Sequence, residues 1–277
     1  MRFVEVISLG IAVFLFTEVR AQDTTNAALD TVIQHSIPLD SLRDVHQQAF
    51  TVGEHLIFDV GFSFITAGEA AFQIFDADSV HGRECYKVVF TVKSIPSFSW
   101  IYKVEDRYET ILDTKGIFPW QFLQHVHEGG YVRDFSADFD QLNGIARADN
   151  KIYSVPPYVL DAVSAFYYVR TMDFSNSHPG QRYILQNFFR DSTYQLAVKF
   201  LGRQQVSVDA GVFNTIIVEP LIQEGGLFKS NGRVLIWLTD DERKIPVKVS
   251  TQIVVGSIDA ELKEYHGVIL PIMAKVK

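Results

Sequence analysis

The stretch His55-Leu56-Ile57-Phe58-Asp59-Val60-Gly61-Phe62-Ser63-Phe64 carries the first clear pattern in the chain. Leu56, Phe58, Val60, Phe62 and Phe64 share one face, alternating with His55, Asp59 and Ser63. Alternation over that length predicts a strand with one buried side. Working outward, the same pattern returns at Tyr86–Val92, Tyr194–Phe200, Val234–Leu238, Val247–Ile253 and Ile258–Leu262. Turn-forming residues separate the runs: Thr66-Ala67-Gly68, Asp78 to Gly82, Glu128-Gly129-Gly130, Asn143-Gly144, Asn231-Gly232 and Asp240-Asp241. Connections this short join antiparallel neighbours, because parallel strands need long crossovers. About a dozen strands are expected.

One segment departs from period two. DAVSAFYYVRTM, residues 161–172, places Ala162, Phe166 and Val169 at helical spacing with Val163 beside them. Asp161 is a natural N-cap, and Pro156-Pro157 stop the strand before it. The expected fold is therefore mainly β: a large curved antiparallel sheet or open β-barrel, lipocalin-like or lipoprotein-carrier-like, with one central helix. Residues 51–277 are read as a single β-rich domain, since nothing around 150–160 resembles a linker.

The beginning of the chain reads differently. Arg2 precedes an apolar run from Val6 to Phe16, and Val19-Arg20-Ala21 follows. This is the layout of a secretory signal over residues 1–21, cut after Ala21. The apolar run is too short to span a bilayer, which takes ~20 residues. Gln22 stands where a lipoprotein would need its acylated cysteine, so a periplasmic or extracellular protein without a lipid anchor is expected, soluble rather than membrane-anchored. Residues 22–50 are polar and irregular and read as a flexible leader with a short helical stretch near Pro38 to Gln48. Cys85 is the single cysteine, which excludes an internal disulfide and leaves stability to burial. A net charge of -8 without a Lys/Arg cluster argues against nucleic-acid binding.

Few residues group into a recognisable chemistry. His125 and His127 share a strand face but lack an evident third ligand, so no metal and no cofactor is expected. There is no Gly-x-Ser-x-Gly elbow, and Cys85 has no histidine beside it in sequence. Asp240 and Asp241 lie between two strong strands, where Asp serves a hairpin turn. The high aromatic content, 22 Phe, 11 Tyr and 3 Trp, fills a sheet face or lines an apolar cavity between sheet and helix. Arg170 at the end of the helix and Glu219 at the end of a strand are candidates for marking the ligand-facing end of that cavity, with Asp161 and Trp237 as further ligand-binding candidates.

GEHLIFDVGFSFITAGEA (53–70), DAVSAFYYVR (161–170), DAGVFNTIIVEP (209–220) and GRVLIWLTDDERKIPVKVSTQIVVGSIDAEL (232–262) resemble the bacterial family called domain of unknown function 3108. The resemblance implies an exported protein of bacterial cell envelopes with no assigned activity and carries over no catalytic residues. It marks Gly68, Asp161, Arg170, Glu219, Trp237, Asp241 and Pro246 as family-like positions. The expectation is a non-enzymatic protein binding a hydrophobic ligand (lipid, acyl chain or apolar peptide) in a groove between sheet and helix. The alternatives are an assembly module that binds an envelope protein, or a glycan-active enzyme.

Overall fold

The computed structural model describes residues 36–63, 65–224, 227–229, 233–253 and 256–277. The expected signal segment 1–21, most of the leader and the Asn231-Gly232 turn lie outside the described residues. The first half of the chain forms β1 (His55–Phe62), β2 (Ile65–Val80), β3 (Arg83–Ser94), β4 (Glu105–Asp113), β5 (Pro119–Glu128), β6 (Tyr131–Asp140), β7 (Ile145–Ala148) and β8 (Lys151–Ser154). The second half forms β9 (Arg182–Phe189), β10 (Ser192–Val208), β11 (Gly211–Glu224), β12 (Leu227–Lys229), β13 (Val234–Thr239), β14 (Pro246–Gln252) and β15 (Ser257–His266). Helix α1 is the short Pro96–Ser99, and α2 is Ala162–Arg170.

All strands belong to one sheet, mainly antiparallel, ordered β8-β7-β6-β5-β4-β3-β2-β1-β15-β14-β13-β11-β10-β9, with β12 on β11. Its centre is the pairing of β1 with β15, Phe58 opposite Leu262 and Val60 opposite Ala260. The first and last described strands therefore meet mid-sheet, and each half zigzags outward to an edge. The middle of the chain, from Val155 to Gln181, must cross from one edge of the sheet to the other, and it carries α2 with it.

The sheet curls until those edges approach. Its hydrogen-bonded ladder stays open, as expected for an open barrel, and aromatic side chains bridge the gap. Phe139 and Tyr153 pack on Phe188 with ring centroids 5.8 and 5.5 Å apart, and Phe135 packs on Phe189 at 5.8 Å. The crossing segment adds one backbone rung, in which Leu160 donates to Gln186 O at 2.9 Å and accepts from Phe188 N at 2.8 Å.

Helix α2 occupies the space inside the curl. Its start is fixed by a reciprocal cap: Ser164 N donates to Asp161 Oδ1 and Asp161 N donates to Ser164 Oγ, both at 2.9 Å. Seven of its nine residues are buried, the pattern of a helix surrounded by protein. Phe166 stacks on Phe72 at 4.9 Å, and Phe72 stacks on Phe90 at 4.3 Å. Inward-facing Leu56, Phe58 and Val60 are buried as the alternation predicts.

Three local expectations need correction. The Thr66-Ala67-Gly68 turn lies inside β2; the chain reverses earlier, at Ser63, where φ is 56°. Gly68 serves a close approach instead, since a Cβ there would lie 2.8 Å from Lys93 O on β3. The leader is packed over residues 36–50 rather than flexible. Leu42, Ala49 and Phe50 are buried, and Arg43 donates to Gly116 O at 2.6 Å and Ile117 O at 2.9 Å. The guanidinium of Arg43 also lies 4.6 and 4.5 Å from the ring centroids of Tyr158 and Tyr168. Isolated apolar residues in a polar stretch show no period, so their burial is invisible to pattern reading. The helix expected near 38–48 reduces to one 3-10 turn, Leu39–Ser41.

Candidate functional site

Three polar features surround α2. At its C-terminal end, Arg170 forms a bidentate pair with Glu54: Nη1 donates to Oε1 at 2.6 Å and Nη2 to Oε2 at 2.7 Å. Neither side chain is exposed. Tyr167 Oη donates to Glu54 Oε1 at 3.2 Å, and Arg170 Nη2 also reaches Ala49 O at 3.2 Å. Burial opposes the Arg170 charge, but Glu54 outweighs it, so the guanidinium is held above its usual range.

At the N-terminal end, Asp161 accepts from Ser164 N and from the hydroxyl of Thr110 on β4. Burial pushes its carboxyl up to about 6, against those hydrogen bonds. Thr110 belongs to the inward face of β4, with Asp106 and Tyr108 in the same phase, all three buried. Asp106 accepts from His127 N at 2.9 Å. Burial first, and Glu128 beside it second, push Asp106 up to about 7. The barrel thus holds two carboxyls that titrate far above their usual range.

Space is distributed unevenly. Between the sheet and α2 there is a void of about 20 Å³, lined by Phe58, Ala70, Phe72, Phe90, Phe166, Pro246, Val249 and Ala260. Among the described residues, the void beside Phe166 is thus far too small for the hydrophobic ligand expected between sheet and helix. A much larger cleft of about 1060 Å³ opens where α2 ends, between residues 44–49, 114–115, 170–175, 240–242 and 244.

The four expected ligand-binding residues do not come together. Asp161 and Arg170 stand at opposite ends of α2, and Arg170 alone borders the large cleft. Glu219 lies on β11, within 3.3 Å of Arg233 Nε and 3.8 Å of Lys199 Nζ. Trp237 is on the outer face of β13, where its Nε1 donates to Gln204 Oε1 at 3.1 Å. The other candidates resolve locally. Asp241 closes its hairpin by accepting from Thr239 Oγ1 at 2.8 Å and Arg243 N at 3.0 Å. Cys85 is buried, and desolvation pushes its thiol up to about 11. His125 contacts Asp134, and no group of three or more metal-ligating side chains occurs among the described residues.

Pattern reading alone does not single out Glu54 or Asp106. Asp106 had a readable signal, an acid in the inward phase of an alternating strand that runs on to Tyr108, Thr110 and Leu112. Glu54 had none, because its partner is 116 positions away.

A curled, open antiparallel sheet wrapped round one buried helix defines a β-barrel-like protein. The chain belongs to the family described as protein of unknown function (DUF3108), whose model matches residues 57–263. No curated protein matches it. Among solved structures, a β-barrel-like protein of domain of unknown function DUF1849 from Brucella abortus is similar over 78% of this chain and 98% of its own, with 10% identity and a TM-score of 0.53. That similarity concerns the fold. A Parabacteroides distasonis protein described as a "putative lipoprotein" aligns over 81% of this chain and 99% of its own, with 12% identity and a TM-score of 0.33. No helix among the described residues is long and apolar enough to cross a membrane.

Proposed function

We propose that this protein is a non-enzymatic binding module of the cell envelope, receiving an extended basic segment of a partner protein in the cleft at the C-terminal end of α2. The observation that carries the reading is the contrast in space: about 1060 Å³ in the cleft against about 20 Å³ between sheet and helix. The smaller void holds no acyl chain unless α2 leaves, and α2 is pinned by the Glu54–Arg170 pair at one end and its cap at the other. Export rests on the signal-like residues 1–21.

The lining sets the ligand's charge. Asp44, Asp173, Asp240, Asp241 and Glu242 border the cleft against Lys115 and Lys244, with His46 near Asp44 and the guanidinium of Arg170 already neutralised by Glu54. Asp240 pairs with Arg203 at 2.8 Å and Asp241 ties its own turn, which leaves Asp44, Glu242 and Asp173, whose Oδ1 also accepts from Ser175 N at 2.8 Å, to face a cation. Opposite charge at a cleft speeds encounter and selects partners.

Fluorescence anisotropy with a labelled alternating Arg/Ser decapeptide, and its Glu/Ser counterpart, tests the reading. The basic peptide should bind, lose affinity with added salt, and lose at least tenfold in Asp173→Asn/Glu242→Gln. Equal binding of both peptides would sink it, as would a lipid that copurifies stoichiometrically in native mass spectrometry.

A further inference from the structure

The β10–β11 hairpin reaches across the outer face of the sheet. Trp237 on β13 donates to Gln204 on β10, and at the hairpin turn Ala210 N donates to Leu262 O on β15 at 3.1 Å. Between the hairpin and the outer faces of β13, β14 and β15 a groove of about 630 Å³ remains. This is within the ~300–1,000 Å³ usual for small-molecule sites.

We propose that this groove binds a neutral oligosaccharide. Its lining includes Gln204, Gln252, Ser207, Lys248, Asp259 and the edge of Trp237, which is 9% exposed. Each amide offers a donor and an acceptor together, as paired sugar hydroxyls require. The indole supplies apolar surface for sugar C–H groups.

Lys248, Asp259 and Gln204 are held before any ligand arrives. Lys248 Nζ lies 2.7 Å from Asp259 and 2.6 Å from Glu261, and Ser250 Oγ donates to Asp259 Oδ1 at 2.6 Å. Gln204 Oε1 is fixed by the indole N–H, and its Nε2 has no partner among the described residues. Side chains ordered in advance lose less entropy on binding.

Other ligand classes fit less well. A phosphate needs an uncommitted cation, and Lys248 is shared by two carboxylates. An extended peptide needs a free strand edge, whereas β13, β14 and β15 are each paired on both sides. A lipid needs an apolar wall, and amides, hydroxyls and an ion pair interrupt this one.

Isothermal titration of the full chain with tri-N-acetylchitotriose and with maltotriose decides it. At least one trimer should bind in the millimolar range or tighter, and Gln204→Ala/Gln252→Ala should weaken it at least tenfold while the fold, read by circular dichroism, is retained. Binding of the basic peptide in the α2 cleft should be unaffected by that double variant, so the two sites are separable. Absence of heat for both trimers at millimolar concentration overturns the proposal, as does saccharide binding that survives the double variant intact. Gln252→Ala alone, at an exposed position, repeats the test if the double variant fails to fold.

Discussion

Glu54 and Arg170, 116 positions apart, meet as a bidentate ion pair with neither side chain touching solvent. The pair ties the start of β1 to the end of the helix inside the curl. Removing one partner leaves a buried, uncompensated charge. Arg170→Met should therefore destabilise the protein by about 3–5 kcal/mol, and Glu54→Gln/Arg170→Met by clearly less than the sum of the single changes. Urea unfolding of the four proteins in the cycle checks this; additive losses would mean that the pair is not coupled.

Phe166 fills the interior, stacked on Phe72 at 4.9 Å. Phe166→Ala should cost about 3–5 kcal/mol and enlarge the small void beside it. The variant, unlike the parent, should take up a small apolar probe such as benzene or xenon, seen in a crystal soaked with it. An unchanged interior, with neighbours collapsed into the gap, is the contrary result.

Stability should fall as pH rises. The Asp106 carboxyl sits at about 7 in the fold, above its ordinary 3.8, and Asp161 at about 6. A raised carboxyl favours the folded state fully below its unfolded pKa, and that contribution is lost as pH climbs through the folded value. The window is thus about pH 4 to 7, and for Asp106 the effect is at most about 4 kcal/mol. Urea midpoints at pH 5 and pH 8 should differ in the parent, and the difference should shrink in Asp106→Asn, which keeps an oxygen for the His127 N–H, to the part that Asp161 contributes.

The helix cap offers a smaller test. Asp161→Ala removes the acceptor for Ser164 N and leaves the Thr110 hydroxyl only its longer bond to Gln121 O, so a loss of about 1–2 kcal/mol is expected. Asp161→Asn should recover part of it. An Ala variant as stable as the parent would show that the cap contributes nothing once the helix is enclosed.

Much of the fold was legible because burial leaves a periodic mark. The alternation of Leu56, Phe58 and Val60, the helix from Ala162, and the Asp241 turn all follow local rules. The packing of Leu42 and Phe50 follows none, since single apolar residues on an irregular segment carry no period. Nor could spacing reveal that Arg170 selects Glu54, or that Glu219 and Trp237 face elsewhere. Those depend on which strands become neighbours after β1 has paired with β15. Volume was equally illegible: aromatic content signalled a large apolar interior but not that Phe166 would leave a void of only about 20 Å³ beside it.

The meeting of β1 and β15 also constrains the order in which the molecule can be made. The central rung of the sheet joins residue 55 to residue 266. Neither half can satisfy its inner strand while the other is missing, and contacts so distant in sequence slow folding. A polypeptide emerging from the ribosome therefore has nothing complete to collapse onto until its final strand is synthesised. For a protein exported as proposed above, that delay keeps the chain threadable through a translocation pore, with the native barrel assembling only on the far side.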